Sequence, residues 1–230
     1  MPSDDKIRVV LVDDHPLVRE RLAHLISQEP DMMICGEADN VQRGRHVVET
    51  TSPDIVVLDI TLKGSSGLEL IKDLKAADLH VPVLVLSMHD EALYAERAFR
   101  AGARGYITKS EASEDIMTAI RRVLEGKIYA SEKFTAEVMN HFADKGRPRK
   151  DSPLDELSDR ELEVFYLVGQ GRTTQEIAMS LNLGAKTVDT YKTRIKDALK
   201  LKNAPELYNR AARWVRDIEA QKSDPAPQAD

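Results

Sequence analysis

DIVVLDITLKGSSGLEL, residues 54–70, opens with an apolar run from Ile55 to Leu58 that ends in a single carboxylate, Asp59. A loop carrying Gly64 follows, and a helical pattern starts at Gly67. Strand, turn and helix in that order put Asp59 at the carboxyl end of a buried strand, where open α/β sheets gather their ligands. An aspartate in that position can also do no more than start a turn or cap a helix. What the other strand ends supply decides between the two.

Working outward, short apolar runs alternate with amphipathic helical stretches from Ile7 to about Leu124. IRVVLV precedes a helix from Pro16, MMIC precedes one after Asn40, and DIVVLD precedes the helix from Gly67. VPVLVLS, a helix after Asp90, GYIT and a helix from about Ala112 complete the series. Five strands alternating with five helices predict a parallel sheet covered on both faces, with right-handed crossovers.

The ends of those strands bring together Asp13, Asp14, Asp59, Ser87 and Lys109. Several carboxylates at one place invite a hard divalent cation, and oxygen ligands with open water positions suit magnesium. Asp13 and Asp14 also read as a helix start, because Asp-Asp-His-Pro puts Pro16 at the first helical position. His15 and His89 lie near the same ends without the partners of a nucleophile or a metal ligand, and are read as loop residues.

A chain of 230 residues is long enough for two modest domains, and its single cysteine excludes a disulfide framework. Cys35 sits in the apolar MMIC run, so a buried, inert thiol in a reducing compartment is expected. The first residues, MPSDDK, lack the basic start and apolar core of a secretory signal, and no apolar run approaches membrane-spanning length. The sequence therefore predicts a cytoplasmic protein. Its net charge of -6 argues against a chain that coats nucleic acid along its whole length, yet leaves room for a local basic patch.

That patch lies in the carboxy-terminal part. EGKIYASEKFTAEVMNHFA reads as a short amphipathic helix, and DKGRPRKDSP as a charged linker open to proteolysis. Ser158 with Glu161, and Thr173 with Glu176, then form two capping boxes, while Gly169 and Gly171 end the first helix. A second helix over 174–181 is joined by Asn182-Leu183-Gly184 to a third over 185–201. Helix, tight turn and helix is the shape of a DNA reader.

Val188, Tyr191, Ile195 and Leu199 fall at helical spacing and are expected to face inward, with Asp189, Thr190, Thr193 and Lys196 pointing elsewhere. The third helix and its end carry Lys186, Lys192, Arg194, Lys196, Lys200 and Lys202 against Asp189 and Asp197. Such a run can be a solvated face, or the flank of a helix that enters a major groove. A last helix over 205–218 presents Leu207, Ala211, Trp214 and Val215 as a core stripe, and the tail after Glu219 has no apolar periodicity, so it is expected to be disordered.

With Asp13-Asp14, Asp59, Ser87 and GYITK ending at Lys109 in view, the first half resembles the receiver domain of two-component response regulators. The resemblance implies a flavodoxin-like, doubly wound α/β fold. It makes Asp59 the phosphoacceptor, has Asp13, Asp14 and Asp59 hold Mg2+, and sets Ser87 and Lys109 on phosphoryl oxygens. Tyr106 would turn inward as Ser87 moves toward the site. Leu62-Lys63 stands where many relatives carry Met-Pro before the loop glycine.

LSDRELEVFYLVGQGRTTQEIAMSLNLGAKTVDTYKTRIKDALKL resembles the LuxR-type helix-turn-helix of the NarL/FixJ subfamily. By that resemblance Asp189, Thr190 and Thr193 lie nearest base edges, Lys186, Thr187, Lys192 and Lys196 favour phosphates, and part of the last helix pairs two DNA-bound copies. Gly184 replaces the usual serine at the recognition-helix start, and Tyr191 a common histidine.

The expected organisation is thus a receiver over 1–126, a linker with a short helix over 127–153, an all-α helix-turn-helix domain over 154–218 and a tail over 219–230. The expected function is a transcription factor, not an enzyme, that a sensor histidine kinase phosphorylates and that binds double-stranded DNA as a homodimer and works with RNA polymerase. Two other readings compete. One is a constitutive DNA-binding protein whose receiver only dimerises. The other is a magnesium-dependent aspartyl phosphotransferase, although Thr61 stands where a haloacid-dehalogenase-like phosphatase wants a second acid.

Overall fold

The computed structural model describes residues 6–88, 91–132, 134–136 and 153–223, in two compact units, Met1–Lys145 and Gly146–Asp230. His89, most of the predicted linker and the last seven residues of the predicted tail lie outside the described residues.

In the first unit β1 (Ile7–Val12), β2 (Met32–Ala38), β3 (Ile55–Asp59), β6 (Val83–Ser87) and β7 (Gly105–Thr108) form one parallel sheet in the order β2-β1-β3-β6-β7. The helices are α1 (Pro16–Ser27), α2 (Val41–Thr51), α3 (Gly67–Ala76), α4 (Glu91–Ala101) and α5 (Ala112–Leu124). The near-continuous apolar runs are explained by burial on both faces. Val9, Leu11, Val57, Leu84 and Leu86 face a core closed by Leu22 and Ile26 of α1 and Ile116, Ile120 and Val123 of α5. The alternate residues point the other way, and Val12 meets Gly44 of α2 next to Leu70 of α3. The chain adds β2 on one side of β1 and β3 on the other, so the carboxyl ends of β1 and β3 flank the point where strand order reverses.

Three local features differ from the expectation. The loop after Asp59 holds a two-residue antiparallel pair, β4 (Thr61–Leu62) with β5 (Ser65–Ser66), where the sequence suggested plain loop. Its turn needs one left-handed residue, and Gly64 supplies it at φ 79. Strand β2 runs three residues beyond MMIC, and its register with β1 shifts between Val9 and Val10, opposite Cys35. At that irregularity Cys35 is only half-buried, with Sγ 3.5 Å from the Val9 carbonyl oxygen.

The second unit has a short 3-10 turn, Pro153–Glu156, and helices Asp159–Gly169, Thr174–Ser180, Ala185–Ala198 and Ala204–Ser223. Both predicted capping boxes are formed, each satisfying backbone N–H groups at its helix start. Leu162, Phe165, Val168, Ile177, Val188, Ile195, Leu207, Ala211 and Val215 are all buried, and the Trp214 ring lies 5.3 Å from that of Phe165. The third helix stops at Ala198 rather than Leu201, and Lys200 takes φ 55 beyond it. The last helix continues to Ser223, so residues 219–223 are helical where disorder was expected.

Candidate functional site

The carboxyl ends of β1, β3 and β7 bring Asp13, Asp59 and Lys109 together. Lys109 Nζ donates to Asp13 Oδ2 and to Asp59 Oδ2, both at 2.6 Å, across 96 and 50 residues of sequence. Asp13 and Asp59 are each 2% exposed, so the pair of carboxylates is held apart from water with one ammonium between them. Burial pushes the Asp59 carboxyl up to about 7, with Asp13 adding to the rise and Lys109 opposing it. Burial also acts to lower the Lys109 ammonium, but attraction by Asp59 and Asp13 outweighs it and leaves Lys109 raised.

The backbone holds this arrangement. The Thr61 N–H donates to Asp59 Oδ1 at 3.1 Å, and the Lys109 N–H donates to the Ser87 carbonyl at 2.7 Å. Ser87 itself is fully buried at the end of β6. Arg19, which carries no mark of a site residue in the sequence, reaches back from α1 to the Asp13 carbonyl oxygen and fixes the β1–α1 loop. Its spacing within α1 gives no signal of that bond.

Asp14, with Asp13, Asp59 and His15, completes a set whose ligand atoms all lie within 4.8 Å of one another. Burial raises the Asp14 carboxyl, and its Oδ1 is buried without a well-directed hydrogen bond. Three acids against one lysine leave an excess of negative charge, and a buried carboxylate oxygen in that state is the donor that a hard cation would take. His15 differs from its expected role as a plain loop residue. Its Nδ1 lies 2.8 Å from Asp14 Oδ1 and 3.2 Å from Asp13 Oδ1, because the turn into α1 folds the ring back over both acids.

Tyr106 was expected to turn inward as part of a switch. Its ring is already buried, 1% exposed, in the middle of β7.

In the second unit Lys186, Thr187, Asp189, Thr190, Thr193 and Arg194 are exposed on the helix Ala185–Ala198, while Lys196 is half-buried. Lys192 departs from the expected set. It is buried, its Nζ 2.8 Å from Thr174 Oγ1 and 5.6 Å from the Tyr208 ring centroid. At about 100° per residue Lys192 lies nearer the axis of the Val188–Ile195–Leu199 stripe than Tyr191 does, so inward placement is what helix geometry requires. Its aliphatic stem packs while the ammonium finds a hydroxyl and a ring face.

Two known families match parts of this chain. Residues 9–121 match the family described as response regulator receiver domain, and residues 155–211 match bacterial regulatory proteins of the luxR family. The oxygen regulatory protein NreC of Staphylococcus epidermidis is 32% identical over 87% of this chain and 94% of its own. The chain belongs to the two-component response regulators of the LuxR family, NarL/FixJ subfamily.

NreC of Staphylococcus aureus is 33% identical over the same shares of both chains. The crystal structure of a LuxR-family two-component response regulator from Aurantimonas sp. SI85-9A1 superimposes with a TM-score of 0.56 at 34% identity, covering 60% of this chain and 99% of its own. This response regulator therefore combines a receiver with a LuxR-type DNA-binding domain in one transcription regulator. Among the described residues no helix is long and apolar enough to cross a membrane.

Proposed function

We propose that Asp59 is the phosphoacceptor of this response regulator and that its phosphorylation by a sensor histidine kinase controls dimerisation and DNA binding by the carboxy-terminal unit. The observation that carries the reading is the buried ammonium of Lys109 shared between Asp13 and Asp59. Mg2+ held by Asp13, Asp14 and Asp59 would supply the positive charge that an entering phosphoryl group needs. Asp59 attacks phosphorus through a carboxylate oxygen, the O–P bond forms, and the N–P bond to the kinase histidine breaks with its electrons staying on nitrogen. Lys109 then exchanges a carboxylate for a phosphoryl oxygen, and Ser87 donates its hydroxyl to another. The work is done in the cytoplasm, at promoters, with RNA polymerase, and the receiver turns over no small substrate.

The deciding experiment compares operator affinity with and without beryllofluoride and magnesium. A coupling of about 1–3 kcal/mol, a rise in affinity on the order of tenfold, is expected. Identical affinities would favour the constitutive DNA-binding reading.

Within the DNA-binding unit, exposed Lys186 is assigned to phosphate, together with Thr187 and Lys196, and Asp189, Thr190 and Thr193 to base edges. Lys186→Ala is expected to lower the slope of log affinity against log salt by about 1 and to leave unfolding unchanged. Lys192→Ala acts differently: it removes a packed stem and the bond to the Thr174 hydroxyl, so stability drops by roughly 1–2 kcal/mol. Salt titrations and denaturant curves of the two variants separate the roles, and a reversed pattern would overturn the assignment.

A further inference from the structure

Asp189, Thr190 and Thr193 stand exposed on the helix Ala185–Ala198, and what each can offer a base is fixed by what it already bonds. The Thr190 hydroxyl donates to the Lys186 carbonyl at 2.9 Å, and the Thr193 hydroxyl donates to the Asp189 carbonyl at 3.0 Å. A hydroxyl has one proton, so both threonines keep acceptor lone pairs and a methyl group for an outside partner. A carboxylate accepts and never donates. These side chains together form a face of acceptors.

Behind Asp189 runs a chain of hydrogen bonds with one direction. Lys192 Nζ donates to Thr174 Oγ1 at 2.8 Å and to the Tyr208 hydroxyl oxygen at 3.4 Å, and it lies 5.6 Å from the centre of the Tyr208 ring. An ammonium has only protons to give, so Thr174 receives there and its own proton is turned to Asp189 Oδ1, 3.4 Å away. At that length the Thr174–Asp189 bond sets the direction of the carboxylate more than it adds strength. Lys192 is 8% exposed, so its charge is little screened and reaches the carboxylate one hydroxyl away.

We propose that this relay makes Asp189 a reader of cytosine: Lys192 and Thr174 hold one carboxylate oxygen, and the other accepts an N4 amino proton of a cytosine in the major groove. The inference rests on the assignment of Asp189 to a base edge given above. Cytosine presents the N4 donor in that groove, adenine sets its N7 acceptor beside the N6 donor, and guanine and thymine present acceptors. A fixed carboxylate oxygen therefore gains most at cytosine and is repelled at thymine. The relay also answers a charge problem. An acid entering a groove bordered by phosphates is opposed by their field unless a cation stands behind it, and Lys192 is that cation. Lys192 and Thr174 are positioning residues, since they act on the base through Asp189.

The test is selection from a pool of random duplexes by the full-length protein, run with and without beryllofluoride and magnesium so that the outcome is independent of the phosphoacceptor reading. The position at which Asp189→Ala changes the selected base identifies the pair that Asp189 reads. Cytosine is expected there, and exchanging that C·G pair for T·A is expected to weaken wild-type binding about tenfold. Thr174→Val keeps the shape and the Thr173 cap and loses the proton, while Lys192→Met keeps the packed stem and loses the charge. In both variants the same exchange is expected to cost only about twofold, with base preference at the other positions retained. A merely structural loss would weaken binding to both duplexes alike. If Asp189→Ala changes no selected base, the base-edge assignment fails and takes the relay with it. Another base at that position, or an undiminished penalty in Thr174→Val, overturns the relay and leaves the assignment standing.

Discussion

Asp59→Asn is expected to abolish labelling by acetyl phosphate and, in metal-free buffer, to make the protein more stable than the wild type. The first effect follows from removing the nucleophilic oxygen, since asparagine keeps the shape and loses the charge. The second follows from burial. Burial pushes the Asp59 carboxyl up to about 7 in the folded protein, from the ordinary 3.8 of a free side chain, with the negative charge of Asp13 adding to the rise and Lys109 opposing it. Between those values the native state holds a proton that the unfolded chain releases, so wild-type stability falls as pH rises through that window. Above pH 7 the full cost of a buried charge beside Asp13 is present.

The asparagine variant escapes that cost. Its advantage is expected to be negligible near pH 4 and on the order of 5 °C in unfolding midpoint at about pH 8. Magnesium, binding the folded wild type alone, narrows the gap. Thermal unfolding at the two pH values, with EDTA and with magnesium, measures all three quantities. Undiminished labelling of the variant would move the phosphoacceptor elsewhere, and a gap independent of pH would mean that Asp59 carries no burial penalty.

Gly67→Ala should be the most damaging single methyl group in the receiver. A Cβ at Gly67 would stand 2.0 Å from the Asp59 carbonyl oxygen, 3.0 Å from its carbonyl carbon and 3.1 Å from Ile60 Cα. All three are backbone atoms, so no rotamer change relieves the clash. The Gly67 N–H also donates to the Ile60 carbonyl at 2.6 Å, which draws the start of α3 against the end of β3. Accommodating the methyl must therefore move either α3 or the strand end that carries Asp59. A loss of about 3 kcal/mol or more is expected. Labelling of the folded fraction should fall by about tenfold, since a displacement near ~1 Å suffices for such losses. Denaturant midpoints and labelling rates, each compared with wild type, report the two consequences. A wild-type midpoint would show that the β3–α3 junction is looser than its close packing implies.

Much of this protein was legible from local pattern. Apolar runs such as Val9–Val12 and Ile55–Leu58 mark strands buried on both faces, and the two capping boxes mark helix starts to the residue. These signals are local because hydrogen bonding within a turn, and burial of a contiguous run, are decided by near neighbours. The acids and Lys109 could be named from the ends of those runs. Their meeting could not, since Lys109 reaches Asp13 and Asp59 only once the strand order places β1, β3 and β7 with their ends together.

Tertiary structure alone decided the rest. Lys192 reads as one more cation of a basic helix until Thr174 and Tyr208 are seen to close over it. His15 reads as loop until the turn into α1 folds its ring onto Asp13 and Asp14. The bridge between Tyr129 and Gly105 leaves no periodic trace, because a single bridge on a sheet edge needs no repeating pattern of side chains. Composition and spacing record what a residue meets within a few positions along the chain. What it meets across the sheet is set by register and strand order, which arise only when the whole domain packs.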